Sequence, residues 1–173
     1  MSPAEIENLP CVQFKNELVS AITEQSGVDI FVLDFRENRG GWFFEGIDRL
    51  FVWTQAEENR DLLGSVYVVI DSFTYSFGTL HASLFKAYID DAVMIGSPAS
   101  GALNFFGAGE GWTEPLVLPN SQISFRLGGG AFWNLDPYTE TNTLYPDIFV
   151  YRTAEDFMNN HDAVIEAIRQ RHN

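Results

Sequence analysis

Positive charge is scarce in this sequence: it has ten lysine and arginine residues against 24 acidic ones, and its formal net charge at pH 7 is −14. Nucleic acids and anionic membrane surfaces both attract clustered Lys and Arg, so the composition argues against either partner. The single cysteine, Cys11, excludes an intrachain disulfide and leaves the redox compartment open. No apolar run reaches about eighteen residues, so the sequence predicts no membrane insertion.

The N-terminal segment MSPAEIENLP also lacks the basic and then apolar order of a signal peptide. What the chain does have is the composition of a globular protein, with 46% hydrophobic and 14% aromatic residues. Its length of 173 residues predicts one domain over residues 1–173 and leaves the oligomeric state open.

Amphipathic segments alternate with continuous apolar runs in the first half of the chain. Helical spacing of apolar residues marks three segments, at 14–22, 43–54 and 77–84. Continuous apolar runs predict strands, at 29–35, 66–71 and 92–96. Such strands between helices predict an α/β fold whose mostly parallel central sheet is covered on both faces.

The second half of the chain is richer in turn signals. Glycine and aromatic residues crowd 97–112, which predicts a long loop, and a Pro-Asn turn signal predicts a hairpin of strands 114–118 and 122–127. Thr153 and Asp156 resemble a capping box with aspartate in place of glutamate, ahead of a closing helix.

A serine after the second predicted strand suggests a site for acyl transfer. Ser76 lies between the apolar run 66–70 and a predicted helix, and the preceding strand, IFVLDF, ends in RENRGG. Serine is a weak nucleophile, so it needs a base for its proton and donors for the oxyanion. The backbone N–H groups of Gly40 and Gly41 can turn inward, and the N–H of Phe77 lies at the positive end of the helix.

A plainer interpretation of the same residues competes with this one. Serine is a preferred helix N-cap, and on spacing alone Ser76 is more often a cap than a nucleophile. A Gly-Gly pair after a strand is usually only a turn. Each motif is therefore weak when it is taken alone.

Five segments of the chain resemble, in order, those of one enzyme family. The run VDIFVLDFRENRGG resembles the Asp-Leu-Arg-x-Asn-x-Gly-Gly signature of the carboxy-terminal processing, or tail-specific, serine peptidases. VVIDSFTYSFGTLHASLFK resembles their nucleophile segment, with Ser76 at the serine. MIGSPASGALNFFG, PLVLPNSQISF and the ending YPDIFVYRTAEDFMNNHDAVIEAI are similar to three further family segments. The resemblance covers roughly residues 13–170 and points to the branch of the tricorn core and the interphotoreceptor retinoid-binding repeats.

This resemblance implies a ClpP/crotonase-like fold of ββα units, a peptide or protein substrate and an acyl-enzyme on Ser76. It implies no cofactor and no metal. It also implies an extracytoplasmic location. The family's protease domain opens with strands, whereas this chain reaches a predicted helix by about residue 13. We therefore expect the chain to correspond to the C-terminal part of the catalytic domain.

The general base is the missing part of the predicted site. In the family's Ser-Lys members a lysine follows the glycine of the Thr-x-Gly stretch, but Ala102 follows Gly101 here. Of the two lysines in the chain, Lys86 lies about 15 Å along the predicted helix from Ser76, and Lys15 belongs to a solvated helix face.

The three histidines are no better placed for this role. His81 is about 140° round the predicted helix from Ser76, so we expect a partly buried helical residue that faces elsewhere. His161 and His172 flank the closing helix. We therefore expect either a base on a segment outside this chain or no proteolysis at all.

Acidic residues near the predicted site have two possible roles. In the tricorn-like branch a glutamate shortly before the Pro-Asp ending completes the charge network, and Glu140 precedes Pro146 by six residues. A solvated loop carboxylate is the alternative for Glu140. Asp34 and Arg36 are expected to form a structural pair that shapes the glycine turn.

Two functions of different classes remain open. One is a serine peptidase domain, and the other is a non-catalytic homologue that binds a peptide or an apolar ligand in the same pocket. Phe77 stands where the family usually has alanine, and Thr79 where glutamate is common, which adds weight to the second. A crotonase-like acyl-CoA enzyme would share the fold and the oxyanion donors but not the serine motif.

Overall fold

The computed structural model of the chain describes residues 10–41, 45–103, 105–106, 114–126, 131–132 and 142–173. The helices in these ranges are α1 (Pro10–Glu24), α2 (Glu45–Gln55), α3 (Glu57–Arg60), α4 (Phe77–Tyr88), α5 (Ala154–Met158) and α6 (Ala163–Gln170). The strands are β1 (Val28–Asp34), β2 (Leu63–Ile70), β3 (Val93–Gly96), β4 (Phe105–Phe106), β5 (Leu116–Val117), β6 (Ser124–Phe125), β7 (Ala131–Phe132) and β8 (Ile148–Phe149).

Four of these strands form a parallel sheet in the order β1, β2, β3, β8. The register pairs Asp34 with Val69, and Gly96 with both Ile70 and Phe149, so the strands end at the same edge of the sheet. This arrangement confirms the predicted α/β fold with a mostly parallel central sheet. Two antiparallel pairs, β4 with β7 and β5 with β6, form separate small sheets.

The greater part of the strand β2 is apolar because both of its faces are buried there. Successive side chains of a strand point to opposite faces of the sheet. Val66, Val68 and Ile70 therefore enter one core, and Tyr67 and Val69 enter the other. All five side chains are buried, since helices cover both faces.

Three helices cover one face of the sheet, and α6 covers the other. Ile22 of α1, Leu50 of α2 and Phe85 of α4 belong to the first core, together with side chains of β1 and β2. Val164 and Ile168 of α6 pack with Tyr67 and Val69 in the second core. The predicted helices of the first half are present, and most of their apolar faces pack on this core. Phe14 is an exception, because it is 65% exposed, and Phe43 lies outside the described residues.

Lys86 fastens the C-terminal end of α4 to the sheet. Its ammonium group donates to the carbonyl of Ala92 at 2.6 Å and pairs with Asp147 at 2.8 Å. The Asp147 carboxylate also accepts a hydrogen bond from the N–H of Met94 at 2.8 Å. The aspartate of the Pro-Asp-Ile ending therefore joins β3, β8 and α4.

Two local features differ from the predictions. The predicted long loop contains β4, which pairs Phe105 with Phe132. The closing segment forms two helices, with Thr153 as the cap of α5 and Asp162 as the cap of α6. The capping box of Thr153 and Asp156 is confirmed, as is the hairpin β5–β6. A pairing such as that of β4 with β7 joins residues that are far apart in sequence, so no local pattern encodes it.

Within the described ranges, no helix combines the length and the apolar character needed to cross a bilayer.

Replacing Phe85 by alanine should remove the aromatic centre of the first core. The ring is fully buried and lies 6.0 Å from that of Phe35 and 5.3 Å from that of Phe51. We expect the free energy of unfolding to fall by about 3–5 kcal/mol, measured by urea denaturation. Tyr88→Ala is the matched control, because Tyr88 also contacts Phe51 edge-on but is half exposed; it should cost about 1 kcal/mol. Equal losses for both variants would contradict this description of the core.

Candidate active site

Two loops leave the same edge of the parallel sheet and meet. The first, residues 35–41, follows β1, and the second, residues 71–76, follows β2. The register of β1 on β2 pairs Asp34 with Val69, so both strands end at almost the same level. In open α/β sheets the crevice beyond the carboxyl ends of the strands is the usual place for a ligand.

Ser76 has an unusual backbone conformation at this junction. It occupies the N-cap position of α4 with φ 54° and ψ −126°, and its side chain makes no capping hydrogen bond. A serine that caps a helix through its hydroxyl has extended backbone angles instead. The plainer interpretation of Ser76 as a side-chain cap is therefore wrong, and the hydroxyl does not satisfy the helix end.

Gly40 lies directly against Ser76 and Phe77. A Cβ atom built on Gly40 would lie 2.6 Å from the Cβ of Ser76, 2.7 Å from the N of Phe77 and 2.9 Å from the carbonyl oxygen of Tyr75. The φ of Gly40 is +83°, a value that L side chains rarely adopt. Only glycine fits this position, and the structure therefore brings together the predicted turn and the predicted nucleophile.

Asn38 ties the two loops to each other. Its carbonyl oxygen accepts a hydrogen bond from the N–H of Tyr75 at 2.9 Å, and its side-chain oxygen accepts one from the N–H of Gly40 at 2.9 Å. Gly78, in the first turn of α4, has its Cα packed against the same asparagine carbonyl. The asparagine of the Arg-x-Asn-x-Gly-Gly signature thus has a structural role. The N–H of Gly40 is engaged within the turn, so Gly40 contributes close approach rather than a donor.

Thr74 and Asp71 make the remaining ties between the loops. The hydroxyl of fully buried Thr74 lies 2.9 Å from the carbonyl oxygen of Phe35 and accepts from the N–H of Asp71 at 3.0 Å. The Asp71 carboxylate accepts from the N–H groups of Glu37 and Phe73, at 3.1 and 3.0 Å. The position of Ser76 relative to the glycine turn is therefore fixed by a set of short polar contacts on both sides.

Arg36 holds the first loop against the opposite side of the sheet. Its guanidinium binds both carboxylate oxygens of Asp34 and both of Asp162, with the closest contacts at 2.6 and 2.8 Å. Asp162 in turn accepts from the N–H groups of Val164 and Ile165 in the first turn of α6. The predicted structural pair of Asp34 and Arg36 is confirmed as a contact, and Asp162 is its third member.

The charges of this cluster are mutually stabilising. The hydrogen bond from Arg36 is the main cause of a lowered pKa at Asp162. The hydrogen bond to Asp34 is the main cause of a raised pKa at Arg36, which keeps the guanidinium charged at any physiological pH.

A pocket of about 190 Å³ opens beside the glycine turn. Gly40 and Phe77 form part of its wall, and the other lining residues are Cys11, Asn38, Ile47, Gly78 and His81. His81 is buried, and its Nε2 lies 3.1 Å from a carboxylate oxygen of Asp48 on α2. The predicted burial of His81 is confirmed. Sequence reasoning missed that His81 lines this pocket.

The histidines and lysines of the chain make their described hydrogen bonds with residues other than Ser76. His161 pairs with Asp156 at 2.7 Å, and His172 lies 3.0 Å from the hydroxyl of Tyr67. Lys86 binds Asp147, as described above, and Lys15 bonds its neighbour Asn16 on the exposed side of α1. His81 pairs with Asp48, and none of the hydrogen bonds described for these five side chains goes to Ser76.

The other sequence-based candidates have separate outcomes. Glu140 lies outside the described residues. Gly41 follows Gly40 in the turn with φ 149°, and Phe77 is the first residue of α4. Sequence reasoning missed Thr74 and Asp162; a buried threonine leaves no periodic signal, and Asp162 is 126 residues from its arginine partner.

Comparison with known proteins relates the fold to peptidases. Neither a protein-family model nor a curated protein sequence matches the chain. The structure of the tricorn protease superposes with a TM-score of 0.59 at 17% identity, covering 88% of this chain and 16% of that one. A protein from Parabacteroides merdae described as a candidate peptidase gives 0.59 at 19% identity, covering 90% of this chain and 56% of its own.

These matches show a shared fold and confirm, at the level of fold, the resemblance to carboxy-terminal processing peptidases. The chain spans only a part of each of the two proteins, 16% of the first and 56% of the second.

The cluster of Arg36 and Asp162 should make stability depend on pH. A carboxyl whose folded pKa is lowered contributes stability above its unfolded pKa of about 3.9 and loses it as the pH falls through the folded value. We expect Asp162→Asn, which keeps a good helix cap, to lower the melting temperature at pH 7 by about 2–4 °C. The difference from wild type should shrink below about pH 4 in thermal melts recorded from pH 3 to 8.

The control for this experiment is Asp91→Asn. The Asp91 side chain is 91% exposed, and its ion pair with Arg60 is long, at 3.8 Å. It should change the melting temperature little at any pH. A difference between wild type and Asp162→Asn that stays constant down to pH 3 would contradict the charge pairing.

Replacing Gly40 by alanine should force the two loops apart, since the new methyl group would collide with Ser76 and Phe77. We expect a loss of about 1–3 kcal/mol in the free energy of unfolding and faster hydrogen exchange at the N–H of Tyr75. Glu37→Gly is the matched control in the same loop, because Glu37 has φ 59°, which glycine adopts without strain. If hydrogen exchange at the N–H of Tyr75 were unchanged in Gly40→Ala, Gly40 would not lie as close to Ser76 and Phe77 as described.

Proposed function

We propose that this chain is the C-terminal part of a serine peptidase domain in which Ser76 forms the acyl-enzyme. The observation that carries the proposal is the backbone of Ser76, which has φ 54° beside Gly40 and at the start of α4. A serine on a strained turn between a strand and a helix can leave its hydroxyl available to a substrate instead of to the helix end. The peptidase fold of the neighbouring structures supports a peptide or protein as the substrate.

In this proposal the backbone supplies the oxyanion site. The N–H of Gly40 is bonded to the side chain of Asn38. The proposed donors are the N–H groups of Gly41 and Phe77, as the resemblance to the peptidases implies. Phe77 opens a helix of twelve residues, whose N-terminal end favours developing negative charge. Gly40 allows the carbonyl of a substrate to approach both donors.

The reaction then follows the chemistry of acyl transfer. Ser76 Oγ attacks the peptide carbonyl, its proton passes to the base and then to the leaving amine, and the C–N bond breaks. Water hydrolyses the ester and returns the proton to Ser76. In this proposal the base is supplied from outside this chain, because none of the hydrogen bonds described for its histidines and lysines goes to Ser76. Glu140 is proposed to complete the charge network around that base.

A second candidate function is a non-catalytic domain that binds a peptide or an apolar ligand in the same pocket. Two observations favour it: none of the hydrogen bonds described for the histidines and lysines goes to Ser76, and the pocket is lined in part by Cys11, Ile47 and Phe77. Such a domain would keep the junction of the two loops and use it for recognition alone.

The nucleophile is tested by labelling the chain with a fluorophosphonate probe, with and without added imidazole. If the base is missing, imidazole should accept the serine proton, and we expect labelling at Ser76, located by mass spectrometry, to rise at least tenfold. Ser76→Ala should not label. Ser72→Ala is the matched control, because Ser72 is an exposed serine of the same loop, and this variant should label like wild type.

Peptide hydrolysis by the chain alone is expected to be slight or absent. Failure of Ser76 to label under both conditions would reject the catalytic proposal. Equal binding of a fluorescent peptide by wild type and Ser76→Ala, together with that failure, would favour the non-catalytic domain.

A further inference from the structure

The hairpin β5–β6 is fully open to solvent. Its two strands pair with each other in a sheet that is separate from the central one, and every residue from 114 to 126 is exposed. Five large apolar side chains of the hairpin are between 38% and 60% exposed: Leu116, Val117, Leu118, Ile123 and Phe125. A two-stranded hairpin is at best marginally stable alone in water, so a further contact would stabilise this one.

The register of the hairpin places most of these side chains on one face. Leu116 pairs with Phe125, and the N–H of Leu118 donates to the carbonyl oxygen of Ile123 at 3.0 Å. Residues directly opposite each other share a face, whereas successive residues alternate, so Ser124 points to the other side. Four residues therefore form what we call the apolar face: Leu116, Leu118, Ile123 and Phe125.

Charge makes a second copy of this chain a suitable partner for the apolar face. The formal net charge is −14, so two copies repel each other over most of their surfaces. Residues 115–125 carry no charge, and the flanking residues Glu114 and Arg126 have opposite signs. Two copies therefore meet with the least repulsion at this hairpin.

Charges accompany the other large group of exposed aromatic residues. Tyr145, Phe149 and Tyr151 are about half exposed and contact one another through their rings, but Asp147 and Arg152 belong to the same short segment. The hairpin has no such charges, and its side chains belong to neither of the two cores in the described part of the chain. It therefore combines apolar character, neutrality and a lack of internal support.

A second copy presents the same apolar face, so the two faces can meet about a two-fold axis. Two sheets that pack face to face, about 10 Å apart, bury the facing side chains of both. Pro115 and Pro119 flank β5 and have no N–H group, which protects that edge from the addition of strands. The arrangement favours closure at two copies over continued growth of a sheet.

We propose that two copies of this chain associate face to face through the apolar face of the hairpin β5–β6. The inference goes beyond the proposed function, because it involves neither Ser76 nor its pocket. Four partly exposed side chains cover much less than the about 800 Å² per partner of a standard stable interface. The association is therefore weak and depends on protein concentration.

The test is sedimentation equilibrium of the full chain at concentrations from about 5 to 500 µM, a range chosen for a weak interface. We expect the weight-average mass to rise from that of one chain toward that of two. Raising the NaCl concentration from about 0.05 to 0.5 M should tighten the association severalfold, because salt screens the repulsion between acidic copies. A chain that stays monomeric at the highest concentration, or a dimer that dissociates when salt is added, would overturn the inference.

Two neighbouring substitutions assign the association to the apolar face. Ile123→Glu places a charge on that face and should weaken the association at least tenfold. Ser124→Glu is the matched control, because it adds the same charge one residue away on the opposite face, and it should dimerise like wild type. Association that survives Ile123→Glu, or that both variants weaken equally, would contradict the proposed contact.

Hydrogen exchange of the wild-type chain tests the contact without any substitution that could unfold the hairpin. Peptides that span residues 114–126 should exchange more slowly at high protein concentration than at low concentration, while exchange in β2 should not change. If protection that grows with concentration appeared elsewhere and not in the hairpin, the copies would meet on another surface and the inference would be rejected.

Discussion

The hydrogen bond from the N–H of Tyr75 to the carbonyl of Asn38, at 2.9 Å, joins two loops that would otherwise leave the sheet independently. A second tie between the loops is the hydrogen bond that the buried hydroxyl of Thr74 donates to the carbonyl oxygen of Phe35. Because both strands end at one level, a few such contacts are enough to fix the loops. The strained backbone of Ser76 depends on this junction, since a residue with φ 54° persists only where its surroundings hold it.

Charge pairing extends the same constraint to the far side of the sheet. Arg36 leaves the first loop and binds Asp162 at the start of α6, so a helix of the second core is tied to the glycine turn. The pair is partly exposed, and its stabilising effect is therefore modest. The main effect of the pair is on geometry. A planar guanidinium that binds two carboxylates fixes the direction in which the turn leaves β1.

The sequence predicts the parts of the site that depend on local pattern. Continuous apolar runs identify β1 and β2, and parallel strands that end at one edge bring Gly40 near Ser76 and Phe77. It does not predict the conformation of Ser76, because serine before an apolar helix favours a cap and only tertiary contacts override that preference. Nor does it reveal Asp162 or the pairing of β4 with β7, since these contacts join residues far apart in sequence. The role of Glu140, which lies outside the described residues, stays a prediction.

The presence of serine, and not glycine, at position 76 bears on the choice between catalysis and binding alone. Glycine would adopt φ 54° without steric cost, whereas serine there costs on the order of 1–3 kcal/mol. A domain that only bound peptides would gain stability from glycine at this position and lose nothing from its pocket. The hydroxyl makes no capping bond that would offset the cost. A serine kept in a strained position without a structural use is best explained by a chemical use, and this is the argument for the proposed acyl-enzyme on Ser76.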